Sequence, residues 1–150
     1  MSDLEIKNTI TINAPTSKVW EVLTQPEYTK IYMYGCETVS DWKVGSSLLW
    51  NGSYEGVEMT FVKGSIVEIN PFSKLIYTVF DPNSTIEDIP ENYLNVTYEL
   101  LEADGKTTLN VTQGDYNKVA EGERRYQESS NNGEGWNPIL VEIKKIAEAE

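Results

Sequence analysis

Polar and apolar residues alternate from Leu4 to Asn13, with Leu4, Ile6, Ile10 and Ile12 on one side and Glu5, Lys7, Thr9 and Thr11 on the other. A period of two predicts a half-buried strand. Ala14-Pro15-Thr16-Ser17 then opens a helix, because proline suits a first helical turn, and Val19, Trp20, Val22 and Leu23 supply its apolar side. Pro26 ends it, and Glu27 to Tyr34 predicts a second short helix. From there the period of two returns. Ser46 to Trp50 runs into Asn51-Gly52, which predicts a hairpin turn. Val57 to Asn70 is a long strand closed by Pro71, and Lys74 to Phe80 is another, ended by Asp81-Pro82-Asn83-Ser84. The acidic run Thr85 to Glu91 predicts an exposed loop. Tyr93 to Leu101 and Thr107 to Tyr116 flank Asp104-Gly105, a second hairpin turn.

After Tyr116 the chain becomes polar and helical through Ala120 to Gln127, and Asn131-Asn132-Gly133 interrupts it. Gly135-Trp136-Asn137-Pro138 restarts a helix, with Asn137 expected as N-cap and Pro138 in the first turn. Ile139, Leu140, Ile143, Ile146 and Ala147 then recur at three- and four-residue spacing, an apolar stripe that must lie on a sheet. The order is α+β: one domain over residues 1–150, a curved, mostly antiparallel sheet of six or seven strands, two short helices after the first strand, and a closing helix gripped by the sheet. Phase assigns the concave face to Val57, Met59, Phe61, Ser65, Val67 and Ile69 of the long strand. On the later strands it assigns Tyr77 and Val79, then Leu94, Val96, Tyr98 and Leu100, then Leu109, Val111 and Gln113. A bulge would flip any of these sets.

Composition narrows the function classes. The 150 residues carry a net charge of −12, which repels phosphate backbones and anionic bilayers, so neither nucleic acid nor membrane insertion is expected. A single cysteine, Cys36, excludes an internal disulfide and suits a reducing compartment. With no signal-peptide pattern and no apolar run of membrane-spanning length, the cytoplasm is the expected location. Histidine is absent, which removes the usual proton shuttle, the commonest metal ligand and the base of most nucleophilic triads. No metal, no cofactor and no catalytic residue is expected, and an enzyme built on this chain would have to work with Asp, Glu, Tyr or Lys.

Four segments in order carry a family resemblance: Ile10 to Thr24, Asp41-Trp42-Lys43-Val44-Gly45, Gly64 to Pro71, and Gly135-Trp136 to Leu140. Across nearly the whole chain the sequence resembles the family of the activator of heat-shock protein 90 ATPase, within the START/Bet v 1-like (SRPBCC) superfamily. The resemblance implies a helix-grip fold with a cavity between sheet and C-terminal helix. It also implies a choice of roles, since that superfamily includes lipid and steroid carriers, hormone receptors, aromatic cyclases and a co-chaperone domain. The matching motifs are structural, so no active site follows from them.

A cavity of this kind makes a small hydrophobic or aromatic molecule the first expected partner and a chaperone the second; a cyclase or dehydratase is the third reading. Residues expected to line it are Trp50, Met59, Phe61, Tyr77, Val79, Tyr98, Gln113, Tyr126, Trp136 and Leu140. The tyrosines combine an apolar ring with one polar handle, the usual makeup of a ligand site, although their hydroxyls can equally reach water. Trp20, Trp42 and Trp136 read first as packing residues, whereas Trp50 reads equally as core and as pocket wall. Gln113 and Asn8 lie in phase with apolar neighbours and need partners, because an unsatisfied buried amide costs roughly 1–3 kcal/mol. Arg124-Arg125 is the one basic pair. It reads either as a bidentate site for a ligand carboxylate at the cavity mouth or as a solvated helix face balancing Glu121, Glu123 and Glu128.

Overall fold

A computed structural model describes residues 5–33, 35–130 and 134–149. Leu4, Tyr34 and the Asn131-Asn132-Gly133 interruption lie outside the described residues. Strands β1 (Ile6–Ile12), β2 (Glu37–Ser40), β3 (Ser47–Tyr54), β4 (Val57–Asn70), β5 (Lys74–Val79), β6 (Leu94–Ala103) and β7 (Lys106–Gly114) form a seven-stranded sheet. Its order is β1-β7-β6-β5-β4-β3-β2, with antiparallel pairing throughout. β2 to β7 thus follow one another as a meander. Helices α1 (Thr16–Thr24) and α2 (Pro26–Tyr32) carry the chain from β1 at one edge to β2 at the other. Helix α3 (Gly122–Ser129) and the closing helix α4 (Asn137–Glu148) complete the α+β fold.

Opposed residues of an antiparallel pair share a face, so register defines rows across the sheet. One inner row runs Ile6, Gln113, Val96, Tyr77, Ile66; the next runs Asn8, Val111, Tyr98, Leu75. Over these rows α4 lays Leu140, Ile143 and Ala147, all buried, and packs on β1 and against α1 and α2. Full burial of a leucine or isoleucine side chain stabilises by about 1.5–3 kcal/mol, so the stripe is enough to fix this helix on the sheet. From the other helices come Val19, Val22, Leu23 and Tyr32, whose hydroxyl donates to the Leu23 carbonyl at 2.8 Å.

Three expectations need correction. Asn51-Gly52 is not a turn: β3 continues through it to Tyr54, and the chain reverses at Glu55-Gly56, where both residues have positive φ (50° and 81°). Two-residue hairpins demand that geometry, which Glu55 adopts because Gly56 supplies the second left-handed position. The long strand does not keep one phase either. Trp50 pairs with Val62 but Asn51 with Thr60, which makes Phe61 an extra residue; Ile66 pairs with Tyr77 but Glu68 with Ile76, which makes Val67 another. Between these bulges the phase is inverted. Ile66 is buried, Val67 is 45% exposed, and Ser65 faces away from the chamber beside Thr78, whose hydroxyl accepts from the Ser65 main-chain N–H at 2.9 Å. Lastly, Asn137 does not cap α4: Trp136 holds that position with no side-chain cap bond.

Four-residue β2 had no signature in the sequence. It is held from within, Thr38 donating from Oγ1 to the Thr24 carbonyl at 2.8 Å and from its main-chain N–H to the Thr29 hydroxyl oxygen at 3.2 Å.

Candidate functional site

Between the concave face and the helices lies a cavity of about 270 Å³. Tyr77, Val79, Val96 and Gln113 form its floor, and Trp50 and Val62 one side. Gly135, Trp136, Ile139 and Ser129 cover it, while Met33 and Cys36 close an end. A second, more polar cavity of about 350 Å³ shares Val62, Val79, Gln113 and Ser129 with the first. It opens outward past Asp81, Ser84 and Ile86 of the loop after β5 and past Arg124, Arg125 and Glu128 of α3. The arrangement is an apolar chamber with a polar vestibule.

A ladder of rings braces the chamber. Trp50 and Tyr77 have centroids 6.2 Å apart; Tyr77 meets Tyr98 edge-on at 5.5 Å, and Tyr98 meets Trp136 edge-on at 5.9 Å. Edge-to-face pairs of this kind add about 0.5–1.5 kcal/mol beyond the area they bury. The Tyr77 and Tyr98 hydroxyls bond each other at 2.7 Å, both rings being about 1% exposed. Burial raises both phenols above the usual tyrosine range, so they stay protonated at neutral pH. Removing one hydroxyl strands the other: Tyr98→Phe should cost about 1–3 kcal/mol, while the double variant Tyr77→Phe/Tyr98→Phe should stay close to the parent. Urea unfolding of the four proteins in that cycle measures the coupling.

Gln113 answers the question its position raised. Its Oε1 accepts from Trp136 Nε1 at 2.7 Å, and its Nε2 donates to the Tyr116 hydroxyl at 2.8 Å. The Tyr116 ring in turn meets Tyr126 of α3 edge-on, which ties α3 to the end of β7. Asn8 plays the matching role on β1: Oδ1 accepts from the Trp136 N–H at 2.9 Å, and Nδ2 donates to the Glu134 carbonyl at 3.0 Å. Gly135, at φ 52°, passes so close that an added Cβ would lie 2.6 Å from Asn8 Oδ1 and 2.7 Å from Ile6. The roof is therefore pinned to β1 and β7 by polar bonds at the point where α4 begins.

Of the expected cavity residues, Trp50, Tyr77, Val79, Gln113 and Trp136 line the chamber. Tyr98 lies behind Tyr77, and Leu140 is fully buried under α4; neither is among the lining residues. Met59 lies on β4 beyond the bulge, and Phe61 packs beside Gly52. Tyr126 stands edge-on to Tyr116 at 5.6 Å and lines a separate surface groove with Asn8 and Ser130. Met33, Cys36, Val62, Ser129 and Ile139 were missed. Val62 was hidden by the Phe61 bulge, and Ile139 was visible only as part of the helix stripe. Nothing local marks Met33, Cys36 or Ser129, because only the packing of α2 against β2 and of α3 against the segment after β7 brings them in.

Among the described residues no Asp or Glu lines the chamber, and burial raises the Cys36 thiol, keeping it from the nucleophilic thiolate form. Among the described residues no cluster of His, Cys, Asp or Glu is arranged to hold a metal ion, and no helix is long and apolar enough to cross a membrane. The vestibule wall is tethered from outside: Asp88 accepts from Lys63 and from the Tyr93 hydroxyl, the latter at 2.6 Å. The bond from Lys63 and then that from Tyr93 hold its carboxyl below the usual carboxylate range. A depressed folded-state pKa gives stability that is present above the unfolded value, about 4, and fades as pH falls through the folded value. Asp88→Asn should therefore lose stability near neutrality and show a shallower fall in melting temperature below about pH 4 than the parent. Melting curves across pH check both.

A curved antiparallel sheet gripping its C-terminal helix with a chamber between them is the helix-grip architecture of the START/Bet v 1-like proteins. Within that class the chain belongs to the family described as Activator of Hsp90 ATPase homolog 1-like protein, whose family model matches residues 13–148. The solution structure of ChR145 from Cytophaga hutchinsonii is similar at 38% identity and TM-score 0.75, over 99% of this chain and 97% of that one. Protein NE0264 from Nitrosomonas europaea shares the fold at 18% identity and TM-score 0.72, over 97% and 95% of the two chains. So does the Aha1 dimer from Colwellia psychrerythraea, at 16% identity and TM-score 0.68, over 96% of each. No curated protein matches the chain in sequence.

Proposed function

We propose that this protein is a non-enzymatic binder of a small hydrophobic or aromatic molecule held between the sheet and α4. The observation that carries the reading is the 270 Å³ chamber, walled by Trp50, Tyr77, Val79, Val96, Trp136 and Ile139. Small-molecule sites run from roughly 300 to 1,000 Å³, are mostly apolar, and carry a few placed polar groups. The chamber alone falls just below that range, and its vestibule extends it. Gln113 and Ser129 provide the polar groups where the two meet. The protonated phenols, the buried thiol and the lack of Asp or Glu among the described residues of the inner chamber support binding over acid–base chemistry there.

A thermal-shift panel of fatty acids, sterols, flavonoids and other aromatic polyketides tests this. A ligand at a hundred times its dissociation constant adds about 2.7 kcal/mol, or roughly 5–11 °C for a domain of this size. A shift confined to one chemical class supports the reading, and a flat panel counts against it. Family membership supports a second reading, an interaction module for a chaperone. Binding of heat-shock protein 90 with a changed ATPase rate would favour it, and an unchanged rate would remove it.

A further inference from the structure

We propose that Arg125 makes this cavity selective for an amphipathic organic anion, with the apolar body in the chamber and a carboxylate or sulfonate in the vestibule. This rests on the chamber being a ligand site. The two neighbouring arginines of α3 differ in what they already hold. Arg124 is committed: Nε donates to Glu121 at 2.7 Å, and Nη1 to Glu128 at 3.2 Å. Arg125 meets no carboxylate within ion-pair distance among the described residues, in a chain with 24 acidic and only 12 basic side chains. Its Nη1 donates to the main-chain carbonyls of Asn92 at 3.1 Å and Ala120 at 3.4 Å. Those two bonds aim the guanidinium without neutralising it, and Nε and Nη2 donate to no atom among the described residues.

A partly buried cation without a counter-ion is costly, and a ligand anion relieves that cost at the point where the vestibule admits it. Burial, and then the neighbouring Arg124 charge, already pull Arg125 below the ordinary arginine value, and the carboxylates of Glu121 and Asp81 offset this only in part. The net charge of −12 repels anions at long range, so selection depends on direct contact with the planar fork, which fits a carboxylate or sulfonate bidentately. The vestibule meets the chamber at Val62, Val79, Gln113 and Ser129, so one molecule reaches both.

The test uses two fluorescent probes with the same rings, neutral N-phenyl-1-naphthylamine and anionic 8-anilinonaphthalene-1-sulfonate. Arg125→Gln should weaken the sulfonate by roughly tenfold and leave the neutral probe within about twofold. An unchanged sulfonate affinity in Arg125→Gln, with the neutral probe still bound, overturns the proposal and leaves the cavity reading standing. Equal weakening of both probes also overturns it, since Arg125 would then act only through the fold. Failure of the parent protein to bind either probe removes the cavity reading as well. Should Arg125→Gln show no melting transition, Arg125→Lys keeps the charge and loses the fork. A several-fold loss confined to the sulfonate is then expected, and parent-like affinity for it overturns the proposal.

Discussion

Replacing Trp136 with alanine should lower stability by about 3–5 kcal/mol, the usual cost of truncating a large buried aromatic. For a domain of this size that is a drop of roughly 6–20 °C in melting temperature. Trp136 is only 8% exposed and carries three loads at once. Its ring meets Tyr98 edge-on, its indole N–H satisfies Gln113, and its main-chain N–H is held by Asn8. Alanine keeps the last bond and loses the other two, leaving an empty space against Tyr98 and an amide oxygen short of a donor. Trp136→Phe separates the terms, because it retains most of the packing and loses only the bond to Gln113; about 1–3 kcal/mol is expected for it. Differential scanning calorimetry on the two variants reads both values.

Gly64→Ala should destabilise by about 3 kcal/mol or more, although the change adds one methyl group to an already ordered strand. A Cβ at Gly64 would lie 1.7 Å from the Thr78 carbonyl oxygen and 2.8 Å from its hydroxyl. The obstacle is mainly backbone, so no rotamer change relieves it. β4 and β5 would have to separate beside the Lys63–Phe80 bridge, whose two main-chain bonds of 2.8 and 2.9 Å close that end of the pair. That end of the pair also carries Val62 and Val79, so Gly64→Ala should damage probe binding along with stability. Chemical denaturation and probe titration on the same preparation check both, and a parent-like unfolding midpoint would contradict the packing described here.

The architecture was legible because its signals are periodic and local. Alternation from Ile6 to Ile12, the helix starts at Pro15 and Pro138, the Asp104-Gly105 turn and the stripe from Ile139 to Ala147 each correspond to an element of the structure. The Phe61 and Val67 bulges were illegible, since a period of two carries no mark of one residue too many, and they inverted the phase of Val62 to Ile66. Asn51-Gly52 misled for the opposite reason: a strong turn signature was overridden by the β4 pairing that carries β3 on to Tyr54. At the site, strands reported themselves and helices did not. Trp50, Tyr77, Val79 and Gln113 announced their inward phase, whereas Met33, Cys36 and Ser129 reach the chamber only through the packing of α2 against β2 and of α3 against the segment after β7. Arg125 differs from Arg124 in nothing the sequence displays; the tertiary partners of each make the distinction.

The central claim is that the space between sheet and α4 holds a small molecule, and the most direct measurement locates one there. With methyl-labelled protein and bound N-phenyl-1-naphthylamine, isotope-filtered NMR should show ring-to-methyl contacts with Val62, Val79, Val96 and Ile139. Ile139→Trp, which fills the chamber from the roof, should abolish them without lowering the melting temperature. Contacts confined to outward valines such as Val39, Val57 and Val67, or contacts that survive Ile139→Trp, would contradict the account.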